Sequence, residues 1–318
     1  MRKLATTIIL SFILGASLFS QIPTEGLVLY LPLNFDADDY SGNGNNGTTH
    51  EVYYLRGDRG ITAYFSPLSY VEIKDTSSLD FSNVTGLTIA TWIRQEQDIS
   101  GYIVVKMGTG GRNEYEYKLA ISADGTINSG IVSPTTMHLL DSNGKLFLNE
   151  WYCIVLRWDP SDGTMAIYFN GELNSLTYSN ITSIQNTSVP LRIGQYVDEF
   201  ENSFRGSLDD LRIYNRPLSE SEISALYTTK VVTALDQVPG KNGIDVYPNP
   251  VQSELRVEWP GFSRQADFTI SDASGRTISK GKLNSTENTI DVNSLRPGFY
   301  SIQINDGNQT ISRKIIKE

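Results

Sequence analysis

The chain has 318 residues, 39% of them hydrophobic, with a formal net charge of −10 and a sequence pI of about 4.8. That apolar share supports packed cores and excludes global disorder, and the length admits two or three domains. The acidic balance excludes a general nucleic-acid binder, because phosphate contacts need basic patches.

The N-terminus reads MRKLATTIILSFILGASLFSQ. Arg2 and Lys3 precede an apolar run from Leu4 to Phe19 that is short for a membrane span, so residues 1–20 read as a signal peptide. Cleavage is expected after Ser20, leaving Gln21, although Leu18 is larger than the residue usual at its position. The mature chain is then expected to hold no transmembrane segment. Strand patterns follow, beginning with GLVLYLPL. GLTIATWIR alternates Ile89, Thr91 and Ile93 against Thr88, Ala90 and Trp92. YEYKLAIS puts Tyr115, Tyr117, Leu119 and Ile121 on one face, and Asp124-Gly125 then turns the chain. WYCIVLRWD, TMAIYFNGEL, PLRIGQY and SFRGSLDDLRIYNRPL continue the series. Many short strands between turn signals predict an all-β sandwich. Cys153, the single cysteine, excludes an internal disulfide and reads as a buried small hydrophobe. His50 and His138 are the only histidines and support neither a cysteine nucleophile nor a zinc site.

One helix is written in RPLSESEISALYTT. Ser219 and Glu222 form a capping box, Leu218 and Ile223 a staple, and Ile223, Leu226 and Tyr227 a docking face. Residues 229–244 lack periodicity and are broken at Pro239-Gly240 and Asn242-Gly243, which marks a linker. Beyond it, ELRVEW alternates Leu255, Val257 and Trp259. Turns at Ser274-Gly275 and Pro297-Gly298 and a basic last strand, QTISRKIIKE, complete a small Ig-like sandwich.

Several of these stretches resemble known families. DYSGNGNNGT, GLTIATWIR, WYCIVLRWDPSDGTMAIYFNGEL, PLRIG and FRGSLDDLRIYNRPLSESEISALY resemble the bacterial laminin-G-like, concanavalin A-like jelly roll, which implies one such domain over residues 22–228. VYPNPVQSELRVEW, SDASGRTI, LRPGFYSIQI and SRKIIKE resemble the C-terminal sorting domain of the type IX secretion system, over residues 245–318. Its determinants match at Tyr247-Pro248-Asn249-Pro250, Gly298-Phe299-Tyr300 and Lys314. The resemblance implies export to the periplasm, transit across the outer membrane by the secretion machinery, and removal of this domain. The mature protein is then expected outside the cell, released or held on the outer-membrane exterior.

DADDYSGNGNNG, residues 36–47, carries three carboxylates and nothing large and apolar to bury after Tyr40. Calcium takes six to eight oxygens, and glycines let successive carbonyls curl inward. Asp39, Ser41, Asn43 and Gly44 mimic the opening of an EF-hand loop, but position twelve is His50 and β segments flank the loop, so an EF-hand is rejected. The jelly-roll resemblance implies that Asp39, Asn43 and one of Asp209 or Asp210 share a structural calcium. The alternative is a solvated turn, with Asp210 paired to Arg212 or Arg216.

Tyr53, Tyr54, Tyr102, Tyr115, Tyr117 and Tyr196 are candidates to stack on sugar rings, and strand alternation sends half of them to the core. Hydrolases of similar fold use a Glu-x-Asp-x-x-Glu strand. Glu199 with Glu201, and Glu114 with Glu116, lack the third acid, so no catalytic residue is assigned. Arg56-Gly57-Asp58 spells an adhesion tripeptide too common by chance to carry a reading. The expected function is non-catalytic binding of a glycan or glycoprotein. The alternatives are an adhesin or scaffold that binds proteins only, and a concanavalin A-like glycoside hydrolase.

Overall fold

The computed structural model describes residues 22–196, 202–228, 244–259, 265–272, 275–305, 307 and 310–317. The expected signal cleavage site at Ser20 and Gln21, residues 229–243 of the expected linker, and the acids Glu199 and Glu201 lie outside the described residues.

The first fifteen strands, in chain order, are β1 (Leu27–Leu31), β2 (Thr48–His50), β3 (Tyr53–Gly57), β4 (Gly60–Phe65) and β5 (Tyr70–Ile73). Then come β6 (Leu87–Gln95), β7 (Gly101–Met107), β8 (Tyr115–Ile121), β9 (Thr126–Val132) and β10 (Met137–Lys145). β11 (Tyr152–Asp159), β12 (Thr164–Phe169), β13 (Glu172–Tyr178), β14 (Leu191–Ile193) and β15 (Gly206–Tyr214) follow, before helix α1 (Glu220–Thr228). One sheet runs β13-β12-β11-β6-β15-β4-β3, with β1 also paired to β15, and the other runs β10-β9-β8-β7-β14-β5-β2. Ile89 and Ile93 from the first sheet and Tyr117, Leu119 and Ile121 from the second share one core with Trp158 and Phe204. Burying such side chains stabilises the fold by roughly 1.5–3 kcal/mol each. Asn170 and Gly171 both take positive φ, 53° and 83°, the geometry that lets a two-residue turn follow strand twist between β12 and β13.

Helix α1 covers the outer face of the first sheet. Leu218, Ile223, Ala225 and Leu226 are buried, and Leu218, Ile223 and Leu226 pack with Ala90, Cys153, Val155 and Tyr168. The capping box forms as expected: Ser219 N donates to Glu222 Oε2 at 2.8 Å, and Glu222 N donates to Ser219 Oγ at 3.3 Å. Tyr227 is 39% exposed and stacks on Trp92, 5.7 Å between centroids, so it sits at the margin of the docked face. Cys153 is free and buried, and burial pushes its thiol up to about 12, which removes it as a nucleophile near neutral pH.

A second, smaller sandwich follows: β16 (Asp245–Tyr247), β17 (Glu254–Glu258), β18 (Ala266–Asp272), β19 (Thr277–Leu283), β20 (Glu287–Asp291), β21 (Gly298–Asn305) and β22 (Thr310–Lys317). They form sheets of order β16-β17-β20 and β19-β18-β21-β22 around Leu255, Val257, Trp259, Ile270, Ile302 and Ile315.

Arg216 ties α1 to the chain start. Its Nε donates to Glu25 O at 2.9 Å, and its two Nη atoms reach the Glu222 carboxylate at 3.0 and 2.5 Å. That hydrogen-bonded guanidinium holds Glu222 down at about 2. A depressed carboxylate pKa stabilises the fold above the unfolded value, and this is lost as pH falls through the folded one. After discounting for solvent screening the pair is worth about 1 kcal/mol. Glu222→Gln is therefore expected to lower the melting temperature by about 2–4 °C at pH 7, with the gap to wild type closing in melting curves between about pH 4.5 and pH 2.

Candidate functional site

The acids singled out in the sequence fall into two groups joined by Tyr30. Asp39 is the hub of the glycine-asparagine loop. Its Oδ1 accepts from Tyr30 N at 3.0 Å and Ser41 N at 2.9 Å, and its Oδ2 from Ser41 Oγ at 2.8 Å and Asn45 N at 2.9 Å. Four donors fill the lone pairs that a carboxylate offers. Asn43 Nδ2 donates to Leu27 O at 3.2 Å and Ser41 Oγ at 3.0 Å. Across the sheet, the Tyr30 hydroxyl donates to Asp210 Oδ1 at 2.9 Å.

Asp209 and Asp210 sit in a bulge of β15. Trp92 pairs with Asp209 and Ala90 with Arg212, so three steps of β15 face two of β6, and Asp210 takes a positive φ of 53°. On the other edge, β4 pairs with Gly206 to Leu208 and β1 with Leu211 to Tyr214, which leaves the acids at the junction. Arginines meet them there. Arg59 Nε lies 3.0 Å from Asp209 Oδ2, Arg59 Nη2 3.6 Å from Asp210 Oδ2, and Arg212 Nη2 3.1 Å from Asp210 Oδ1. The Arg59 guanidinium also stacks 3.7 Å above Trp92. Burial, and then the neighbouring Asp210 charge, raise the Asp209 pKa against the pull of Arg59. Asp39 and Asp210 thus share a tyrosine, while protein donors engage Asp39, Asp209 and Asp210. Among the described residues no group of three or more His, Cys, Asp or Glu could hold a metal ion.

The six tyrosines separate sharply. Tyr54 and Tyr117 are in the core and Tyr53 is half-buried. Tyr115, expected on one face with Tyr117, Leu119 and Ile121, lies on the opposite face. The reason is a bulge: Lys106 faces Tyr117 but Met107 faces Tyr115, so Glu116 is the extra residue. Glu116 turns inward, fully buried, where its Oε1 accepts from Lys106 Nζ at 2.5 Å and from Thr187 N and Oγ1, each at 2.7 Å. Asp75 Oδ1 stands 2.8 Å from the same ammonium. A second bulge, at Ile103, faces Tyr102 and Val104 to Ala120 and Leu119 and puts Tyr102 on the outer face as well.

The outer face of the seven-stranded sheet therefore carries an aromatic band across β7 to β10. Tyr102 and Tyr196 lie 5.3 Å apart, and Tyr196 Oη donates to Gly108 O at 2.9 Å. Lys118 Nζ stands 5.9 Å from the Tyr102 ring, and burial lowers its pKa. Tyr115 lies over Gly130, where any β-carbon would strike its hydroxyl and Leu139. That hydroxyl is buried and has no hydrogen-bond partner among the described residues. Leu139 and Met137, 53% and 45% exposed, extend the band. Asn128 Nδ2 donates to Asp141 Oδ1 at 2.9 Å beside it. Rings, apolar surface and a few polar groups are the ingredients of a small-ligand or sugar surface. Sequence alternation missed Gly130, Leu139 and the flip of Tyr115. The Glu-Tyr repeat EYEY, residues 114–117, was the only visible signal of irregularity there.

Comparison with known proteins agrees with this architecture. Residues 68–224 match the laminin G family of the concanavalin A-like lectin/glucanases superfamily, and residues 245–318 match the secretion system C-terminal sorting domain. The chain carries a laminin-G-like jelly-roll domain followed by a type IX secretion sorting domain. The adhesion G-protein coupled receptor V1 of Danio rerio is 25% identical over 231 residues, 69% of this chain but 4% of the receptor. Among solved structures, the binding domain of Paraclostridial Mosquitocidal Protein 1 is 17% identical with a TM-score of 0.56, covering 90% of this chain and 72% of that one. Domain 4 of AbnA, an extracellular arabinanase from Geobacillus stearothermophilus, in complex with arabinotriose, is 18% identical with a TM-score of 0.50, covering 64% and 98%. The binding domain of botulinum neurotoxin serotype G is 16% identical with a TM-score of 0.52, covering 90% and 74%. These likenesses show the fold. No helix among the described residues is long and apolar enough to cross a membrane.

The Lys106–Glu116 pair fixes the bulge that puts Tyr115 on the outer side of the sheet. Removing one partner leaves the other buried and uncompensated, at a cost of about 3–5 kcal/mol. Lys106→Met is expected to lose stability of that order in denaturant unfolding. The Lys106→Met, Glu116→Leu double variant is expected to recover most of it, without restoring the outward Tyr115.

Proposed function

We propose that the mature protein is a non-catalytic binding protein, secreted or displayed on the outer-membrane exterior, whose laminin-G-like domain takes a glycan or glycoprotein on the outer face of its seven-stranded sheet. The observation that carries this reading is the pair of bulges in the β7–β8 ladder that put Tyr102, half-buried, and Tyr115, 7% exposed, on the outer side of the sheet. Bulges re-aim side chains at functional sites, and here a buried charge pair maintains one of them. Tyr115 is itself buried, so it packs under that surface and leaves contact to the half-buried Tyr102 and Tyr196. The arabinotriose-bound arabinanase domain supports the reading by analogy of fold alone. The sorting domain supports export and removal of the C-terminal part, and its seven strands in sheets of three and four support an Ig-like description.

Catalysis is not part of this proposal. Glu116 is buried against Lys106, and the Glu114 carboxylate accepts from Gly110 N at 2.7 Å. A glycan array probed with the exported protein tests the main reading. Tyr102→Ala is expected to weaken the best glycan signal about tenfold with unchanged melting. Binding that survives Tyr102→Ala and Lys118→Ala moves the site elsewhere. A second reading, contact with proteins only, draws on the exposed Leu139, Phe147, Leu173, Leu176 and Tyr178 along β10, β13 and the turn after β10. An array without any glycan signal selects it.

Calcium is carried forward as a proposal with one discriminating measurement. Asp210→Ala strips a buried Arg212 of its acid, which is expected to cost about 3–5 kcal/mol. Were an ion shared with Asp39, the loss would be larger in millimolar calcium than in chelator. Equal losses in both, read from melting curves, assign the acids to Arg59 and Arg212.

A further inference from the structure

β3 is one edge of the eight-stranded sheet, β13 being at the far end, and the sorting domain sits on β3. Tyr54 N donates to Asn249 O at 3.1 Å, one antiparallel bridge between the two domains. Arg56, on the same edge strand, places Nη1 2.6 Å from Asp245 Oδ2 and Nη2 3.0 Å from Glu258 Oε2. Its guanidinium stands 5.6 Å from the Tyr247 ring centre. Tyr247 is half-buried against the laminin-G-like core, and its hydroxyl donates to Glu258. Asn249 is 5% exposed, and its Oδ1 accepts from Ile316 N at 2.7 Å, so the bridge continues into the sorting domain's last strand. One edge strand thus reads backbone, charge and ring of one short segment.

We propose that β3 and residues 245–249 form an intramolecular latch, in which the sorting domain covers the sheet edge and uncovers it on removal. An unpaired edge presents N–H and C=O groups that recruit other strands. Here the chain supplies its own cover during transit. Arg56 of the Arg-Gly-Asp stretch is then a domain contact in the full chain. The latch itself rests on the contacts above. The uncovering rests also on the proposed removal of the sorting domain.

Amide exchange in the full-length chain tests the latch. Arg56→Ala is expected to speed exchange in peptides covering 53–57 and 245–250 about five- to tenfold, with peptides from β11 and β18 unchanged. Arg56→Glu is expected to do the same, and adding Asp245→Arg to restore protection. Unchanged exchange in both edge peptides of Arg56→Ala overturns the latch. If β11 and β18 also exchange faster, the charge-reversal pair decides, and failure to restore protection overturns it. Cleavage between residues 229 and 243 with removal of the sorting domain is expected to expose the Tyr54 amide, and a Tyr54 amide that stays protected also overturns it. A native extracellular chain that retains residues 245–318 with a protected Tyr54 amide ends the removal reading and leaves the latch standing.

Discussion

Strand β15 has to serve two partners along one edge, and much of the larger domain follows from how it does so. β4 takes the edge from Gly206 to Leu208 and β1 from Leu211 to Tyr214. The two partners arrive from different parts of the chain, so the ladder has a break that an extra residue absorbs. That residue brings a left-handed Asp210 and two carboxylates into a strand otherwise buried from end to end. Uncompensated, such acids are expensive. Arg212 from the strand itself and Arg59 from the β3–β4 turn compensate them, and Tyr30, 180 residues from Asp210 in sequence, carries the connection on to Asp39. The chain start, the glycine-asparagine loop and the last strand are therefore one polar assembly.

The same device recurs on the other sheet with a different outcome. At Glu116 the extra residue goes inward to Lys106 and the aromatic neighbour goes outward. In β15 the bulge joins the ends of the domain, and in β8 it shapes a surface. Both depend on a buried guanidinium or ammonium meeting a buried carboxylate, where geometry and further hydrogen bonds decide whether the pair is tolerable.

Those two bulges mark the limit of what the sequence made legible. The β class, the order of strands, the capped helix and the two family resemblances were readable, because period-2 alternation and turn chemistry are local. The capping box at Ser219 and Glu222 formed as its spacing requires. The arginine partners of the acids in LDDLRIY are remote or ambiguous in sequence: Arg59 lies 150 residues from Asp209. Tyr115 was assigned to the wrong face because alternation assumes an unbroken ladder. The break at Glu116 is enforced by Lys106, Asp75 and Thr187, none of them adjacent in sequence. Gly130, which makes room for the ring, is silent until the neighbouring strand is known.

The β3–β4 hairpin shows how one short stretch can serve two energetic regimes. Arg59 points to Asp209 and Asp210, whose side chains are 5% and 2% exposed, and it is clamped on Trp92. Losing that contact strands buried acids, so it is a permanent part of the fold. Arg56, three residues earlier, is 37% exposed and meets Asp245 and Glu258 at 23% and 22%. Exposed pairs contribute about 0–1 kcal/mol each and are screened by salt. A contact of that size, with one backbone hydrogen bond and one ring, holds two tethered domains together because the linker keeps their effective concentration high. Cutting the tether removes that advantage without breaking any strong bond. The deep arginine keeps the hairpin in shape while the shallow one holds weakly, which is the arrangement the proposed latch requires.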